Sequence, residues 1–142
     1  MVEIRSVLAN DAEEIVNLAA QLGYETDVKN LAARISKLES EINNCIFIAV
    51  IDKLVVGWIQ GIYTIRLETS PFVEITGLVV DVQHRKMNIG RKLIAEVLKW
   101  AGQLHVDRVV VRSNTIRVES HKFYEKSGFK LKKEQKVFEN KI

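Results

Sequence analysis

The chain has 142 residues, 47% of them hydrophobic and 27% charged, with a net charge of +3. That composition fits one domain, residues 1–142, with a substantial core, and excludes a disordered chain. Lys and Arg number 21 against 18 Asp and Glu, and the two signs are interspersed, so no nucleic-acid partner is indicated.

The elements follow in chain order. Val2–Leu8 reads as a short strand. Asn10-Asp11 caps a helix with Ile15, Leu18, Ala19 and Leu22 on one face and Gly23 at its end. Asp27 caps a second helix running through Leu31, Ile35 and Leu38. Cys45–Ile51 and Leu54–Ile65 are rich in β-branched residues and flank Asp52-Lys53, which reads as a hairpin. Pro71 marks a loop before the strand Phe72–Val82. Gly90–Leu104 is the clearest helix, with Leu93, Ile94, Val97, Leu98 and Ala101 at helical spacing. Arg108–Arg112 is a strand, Arg117–Ser127 a helix closed by Gly128, and Phe129–Phe138 a final strand. The order β-α-α-β-β-β-α-β-α-β predicts an α/β fold with a mixed sheet and helices on its faces.

Cys45 is the only cysteine, so an intrachain disulfide and a cysteine-based metal site are excluded, and it reads as a structural thiol. No metal site is expected. The N-terminus shows no apolar signal segment and no run reaches membrane length, so the expectation is a cytoplasmic protein without a membrane partner. Trp58 and Trp100 read as packing residues, and His105 as a surface residue near the end of its helix.

The stretch Leu78-Val79-Val80-Asp81-Val82-Gln83-His84-Arg85-Lys86-Met87-Asn88-Ile89-Gly90-Arg91 is the most informative. An apolar strand stops at Asp81, a short basic loop follows, and a helix begins. Unpaired backbone N–H groups and positive charge converge there, which is how a fold holds a phosphate or pyrophosphate. Gly77, inside the preceding strand, marks a bulge or a place where a backbone or ligand comes close. A strand splayed there could pair with an extended amide, and coenzyme A joins an amide-bearing arm to a pyrophosphate.

With these residues in view, the chain resembles the GCN5-related N-acetyltransferases. Their acetyl-CoA loop follows Arg/Gln-x-x-Gly-x-Gly/Ala, and here it reads Arg85-Lys86-Met87-Asn88-Ile89-Gly90. Asn88 replaces the first glycine, and Asn is the non-glycine residue that best tolerates a left-handed backbone. Ser113–Phe129 resembles the family's C-terminal helix and its Phe-Tyr-x-x-x-Gly-Phe ending. Asn88, Arg117 and His121-Lys122-Phe123-Tyr124 are most similar to the aminoalkylphosphonate N-acetyltransferases, with aminoglycoside acetyltransferases a more distant analogy.

The resemblance implies a splayed central strand and direct acetyl transfer from acetyl-CoA to a primary amine. Leu78, Val79 and Val80 would hold the pantetheine and thioester, with a backbone N–H there serving the carbonyl oxygen. Arg85, Lys86, Met87, Asn88, Ile89, Gly90 and Arg91 would serve the pyrophosphate, with Arg117 also on the cofactor. Read from residues alone, Lys86, Arg91 and Arg117 are solvated charges.

Arg117, His121 and Tyr124 fall at i, i+4 and i+7, one helix face. From the residues alone Tyr124 packs beside Phe123 and Phe129; the resemblance implies a general acid for the departing thiolate. His121 reads as structural. Glu74 is the general base that the resemblance implies, against a plain reading as a carboxylate paired with a neighbouring Lys or Arg. Glu68 and His84 are further candidates. Tyr24, Glu25, Arg66 and Glu68 could line the acceptor site.

The implied partner is a small-molecule amine, such as an aminoalkylphosphonate, polyamine or aminoglycoside, with a homodimer as an option. Acetylation of a protein N-terminus or lysine is an alternative. A non-catalytic acyl-CoA-binding module is a third reading, from another class.

Overall fold

The computed structural model describes residues 1–21 and 23–142. Leu22, expected on the inner face of the first helix, lies outside the described residues. The chain divides into two compact units, Met1–Val111 and Arg112–Ile142. The first holds β1 (Glu3–Ser6), α1 (Ala12–Ala20), α2 (Val28–Glu39), β2 (Asn44–Ile51), β3 (Leu54–Arg66), β4 (Thr69–Val80), α3 (Ile89–Gln103) and β5 (Val109–Val111). The second holds α4 (Val118–Lys126).

The sheet runs β1-β2-β3-β4-β5, antiparallel as far as β4, with β5 parallel to β4. The β2–β3 hairpin turns at Asp52 and Lys53, both at positive φ (48° and 69°). That is the two-residue turn whose twist suits paired strands. Alternation then sorts the side chains. Ile46, Ile48, Val50 and Trp58 pack with Ile15, Leu18 and Ile35 of α1 and α2. The opposite face carries Gly57 and Gly61, where an added Cβ would lie 3.3 Å from Leu93 and 3.1 Å from Val97. Two glycines four residues apart on β3 therefore let α3 lie close on the sheet. Ile89, Leu93 and Val97 are almost completely buried by that approach, each worth roughly 1.5–3 kcal/mol.

The helix ends follow local chemistry. The Asp27 side chain accepts from the Lys29 N–H at 2.8 Å and starts α2. Gly23, at φ 83°, closes α1 by donating to Ala20 O while the Tyr24 N–H donates to Ala19 O. Gly128, at φ 97°, closes α4 in the same way through Glu125 O and Tyr124 O. Asp11 stands at the N-cap position of α1, but its side chain makes no cap hydrogen bond there. It is buried, takes both Arg5 guanidinium nitrogens at 3.0 Å, and accepts from the Leu8 N–H at 2.8 Å.

Three expectations are corrected. Residues 129–138 form no strand. Alternating apolar residues set a side-chain pattern, but a strand also needs a ladder partner, and Leu131, Val137 and Phe138 stand exposed. Pro71 lies inside β4, not in a loop before it. The β3–β4 register is irregular there, between Thr64 and Arg66, which accommodates a residue without an N–H. Finally, β4 stops at Val80, because Asp81 caps a single 3-10 turn at Val82–His84.

Candidate active site

β4 carries a bulge at its middle. Gln60 pairs with Gly77 and Gly61 with Ile75, leaving Thr76 without an opposite residue. β5 pairs with β4 only over Val73, Glu74 and Ile75. The Asp81 N–H donates to Val56 O at 2.8 Å. Alternation from that bond directs the N–H groups of Leu78 and Val80 to the edge away from β3, beyond the end of the β5 ladder. The side chain of Val79 is buried in the core, so this stretch can offer a ligand chiefly its backbone. Gly77 has a second reason to be glycine: an added Cβ would lie 2.7 Å from Cη2 and Cζ3 of Trp58. The strand is thus bulged, and its glycine supports an indole.

The loop after β4 is firmly braced. Gln21 Nε2 donates to Asp81 Oδ1 at 3.1 Å, and the Val82 N–H donates to Gln21 Oε1 at 3.1 Å. Asp81 also meets the Gln83 N–H at 3.3 Å and His84 Nδ1 at 2.9 Å. The Gln21 hydrogen bond leads in holding the Asp81 carboxyl below the usual carboxylate range; partial burial opposes it, and Gln83 and His84 assist. His84, considered above as a base, is therefore engaged as a brace of this turn.

Lys86 and Asn88 follow in the left-handed region, at φ 68° and 62°. Asn88 immediately precedes α3 and makes no side-chain cap. The first intrahelical bond runs from the Lys92 N–H to Asn88 O, so the N–H groups of Ile89 and Gly90 point out of the helix end without an intrahelical acceptor. They carry the positive end of a 15-residue helix dipole. Arg85, Lys86, Met87 and Arg91 are exposed around them, whereas the Ile89 side chain is buried. Of the residues predicted to serve a phosphate, Ile89 can do so only through its N–H.

Within the second unit, Tyr124 packs edge-on against Phe123 and Phe129, with ring centroids at 5.4 and 5.9 Å. Burial pushes its phenol above its ordinary value, and nearby Arg117 pulls it back in part. His121 Nε2 lies 2.8 Å from Asn114 O, a tie that holds the turn before α4 and matches its structural reading. Arg117 is the exposed residue at the helix start.

Glu74 sits on β4 opposite Ile62 and beside Val110, with Oε1 3.8 Å from Arg66 Nη2. The Arg pairing anticipated for it is present. Glu68 is exposed at the β3–β4 turn, and Tyr24 and Glu25 are exposed beyond α1. Burial pushes the Cys45 thiol up to about 12, partly offset by the Gly61 backbone, as suits a structural role. No group of metal-ligating side chains is found among the described residues. No helix among them is long and apolar enough to cross a membrane.

Sequence reasoning missed the Gln21–Asp81 brace and the Trp58–Gly77 stacking. The Asp81-x-Gln83 pattern was a legible cap signal for the turn; nothing local to Gln21 connects it to a loop 60 residues away.

Comparison with known proteins agrees with this fold. A crystal structure of a transcriptional regulator from Bacillus halodurans C-125 superposes with a TM-score of 0.89, at 21% identity, over 99% of this chain and 100% of that one. Aminoglycoside N-acetyltransferase AAC(6')-Iy in complex with CoA gives a TM-score of 0.84 at 21% identity, covering 99% and 95% of the two chains. In sequence, the N-acetylaspartate synthetase of Xenopus tropicalis is 30% identical over 87 residues, which is 61% of this chain. The chain spans only 31% of that relative's length. The acetyltransferase (GNAT) family profile matches residues 11–129; the chain belongs to that family.

Proposed function

We propose that the protein transfers an acetyl group from acetyl-CoA directly to the primary amine of a small molecule. One observation carries this reading. The edge of β4 beyond Ile75 leads, within a dozen residues, to the uncapped N-terminus of α3. A strand edge offering N–H groups and a helix end offering more, on one continuous segment, match an amide arm joined to a pyrophosphate. Acetyl-CoA, when bound, supplies the activated acetyl thioester.

The chain's own groups then have three tasks. The N–H of Leu78 or Val80 stabilises negative charge on the carbonyl oxygen. Tyr124 gives its proton to the departing thiolate sulfur; a phenol raised by burial is still fully protonated at neutral pH. Glu74 takes the proton from the acceptor ammonium, directly or through one water. That proton matters, because an alkyl amine of pKa about 10.4 is neutral in about one molecule in 2,500 at pH 7, a handicap of about 4.6 kcal/mol. Lys86, Asn88, Gly90 and Arg91 hold the pyrophosphate, and Arg117 supports the cofactor.

A small amine is supported by the aminoglycosides of the structural neighbours and by the amino-acid product in the names of the sequence relatives. Asn88 and the Arg117–Tyr124 helix also fit an aminoalkylphosphonate acceptor. An amine panel read by free CoA thiol tests the proposal. Release above the acceptor-free background with a small primary amine is expected. Background rates with every small amine, at saturating acetyl-CoA, would contradict it.

A further inference from the structure

We infer that the cleft between β2 and the last turns of α3 binds a small organic ammonium ion, held by the Glu96 carboxylate against Phe47 and Trp100. It is a second binding site, built from residues to which the acetyl-transfer reading gives no role.

The cleft follows from how α3 lies on the sheet. Ile46 and Ile48 pack with α1 and α2, so Phe47 between them points to the opposite face, where α3 lies. Its neighbours on that face are unequal. Ile59 on β3 is fully buried, whereas Ser6 on β1 is small and exposed. Gly57 and Gly61 draw α3 onto β3, and Phe47 stays half-buried beside it.

From the helix, Glu96, Lys99, Trp100 and Gln103 fall at i, i+3, i+4 and i+7, one stripe that closes the cleft from above. The space holds about 180 Å³, below the roughly 300–1,000 Å³ of a site for a drug-sized ligand. It therefore suits a headgroup of a few non-hydrogen atoms and not a cofactor.

Three features select a cation. Glu96 is half-buried, and no described residue gives its carboxylate a hydrogen bond or an ion pair. Phe47 and Trp100 contribute rings whose faces attract a cation, Trp most strongly. Gln103 is the last residue of α3, whose final turn carries no basic side chain, so the negative end of the helix dipole borders the cleft.

Of the described lining residues, only Lys99 is cationic. It is exposed and sits at i+3 from Glu96, yet no ion pair joins the two. The carboxylate is thus free to meet a ligand. A methylated ammonium matches the site best, since its charge meets Glu96 and its methyl groups meet the two rings.

Choline, which has no amine to acetylate, is the probe, and 3,3-dimethylbutan-1-ol, its uncharged carbon isostere, is the control. Each is titrated into isotope-labelled protein while NMR follows the indole N–H signals of Trp58 and Trp100, assigned with Trp100→Phe. The Trp100 signal should shift saturably with millimolar choline, and the Trp58 signal should stay in place. The alcohol should bind at least about tenfold more weakly than choline, and Glu96→Gln should weaken choline by a similar factor. Lys99→Met should bind choline as tightly as the wild type or more tightly. An unmoved Trp58 signal shows that each variant keeps its fold. A silent Trp100 signal, equal affinity for the alcohol, or unchanged affinity in Glu96→Gln would overturn the inference. Tighter binding of acetate than of choline would assign the cleft to Lys99 and overturn it too. The acetyl-transfer proposal, read by its own amine panel, stands or falls separately.

Discussion

Gly77→Ala probes how the bulged strand is built. The new Cβ would stand 2.7 Å from two atoms of the Trp58 ring, about 1 Å inside the optimal carbon–carbon separation. The ring has little room to retreat, because Trp58 packs against the cluster formed by Ile15, Leu18, Ile35, Ile48 and Val79. Overpacking of this kind costs about 1–3 kcal/mol. Gly77 is not at positive φ, so alanine also restricts the unfolded chain and recovers about 0.4–1 kcal/mol. The net loss should lie between about 0 and 2.6 kcal/mol in urea unfolding. Trp58→Phe removes the two clashing atoms, and in that background Gly77→Ala should be neutral or slightly stabilising. The double-mutant cycle therefore predicts a coupling of about 1–3 kcal/mol. An equal cost in both backgrounds would refute the packing argument.

Other outcomes follow from the same geometry. Asn88→Gly should keep stability within about 0.5 kcal/mol and leave the KM for acetyl-CoA nearly unchanged. Asn88→Val, forced into the left-handed region, should cost about 1–2 kcal/mol and raise that KM at least tenfold; identical behaviour of the two variants would count against the loop's role. Tyr124→Phe should still bind acetyl-CoA but lower kcat by about 10²-fold or more. Because burial raises the phenol, any alkaline fall in kcat assigned to Tyr124 should lie above pH 10 and vanish in the variant. Asp11 has its carboxyl held below the ordinary value because the Arg5 hydrogen bonds and the Leu8 N–H outweigh burial, the largest influence, which acts upward. Its contribution is therefore complete above the unfolded carboxylate value near 3.9 and is lost as pH falls through the lower folded value. Asp11→Asn should cost about 1–3 kcal/mol at pH 7 and far less at pH 2; the same loss at both would contradict the linkage.

Much of this architecture was legible in local chemistry. Asp27, Gly23 and Gly128 each act at a helix end where their residue types predict, and Asp52-Lys53 makes the hairpin turn. Asn88 is left-handed because the loop requires it and asparagine permits it. What sequence could not show depends on distant partners. Residues 129–138 alternate like a strand, yet alternation says nothing of a ladder. Pro71 reads as a loop until the irregular β3–β4 register explains how a strand holds it. At the site, the loop and strand edge were visible as one continuous segment. Glu74 was visible as a carboxylate on the central strand, but its 3.8 Å approach to Arg66 arises only when β3 and β4 pair. The Gln21–Asp81 brace is non-local in the same way.

Binding of acetyl-CoA tests the central claim most directly, since a ligand that prefers the folded state must raise its stability. Acetyl-CoA and CoA should raise the melting temperature in a concentration-dependent manner, with Asn88→Val weakening the response and NAD or ATP giving little. No shift at millimolar acetyl-CoA, or an equal shift with ATP, would contradict the assignment of residues 78–91 as its cradle.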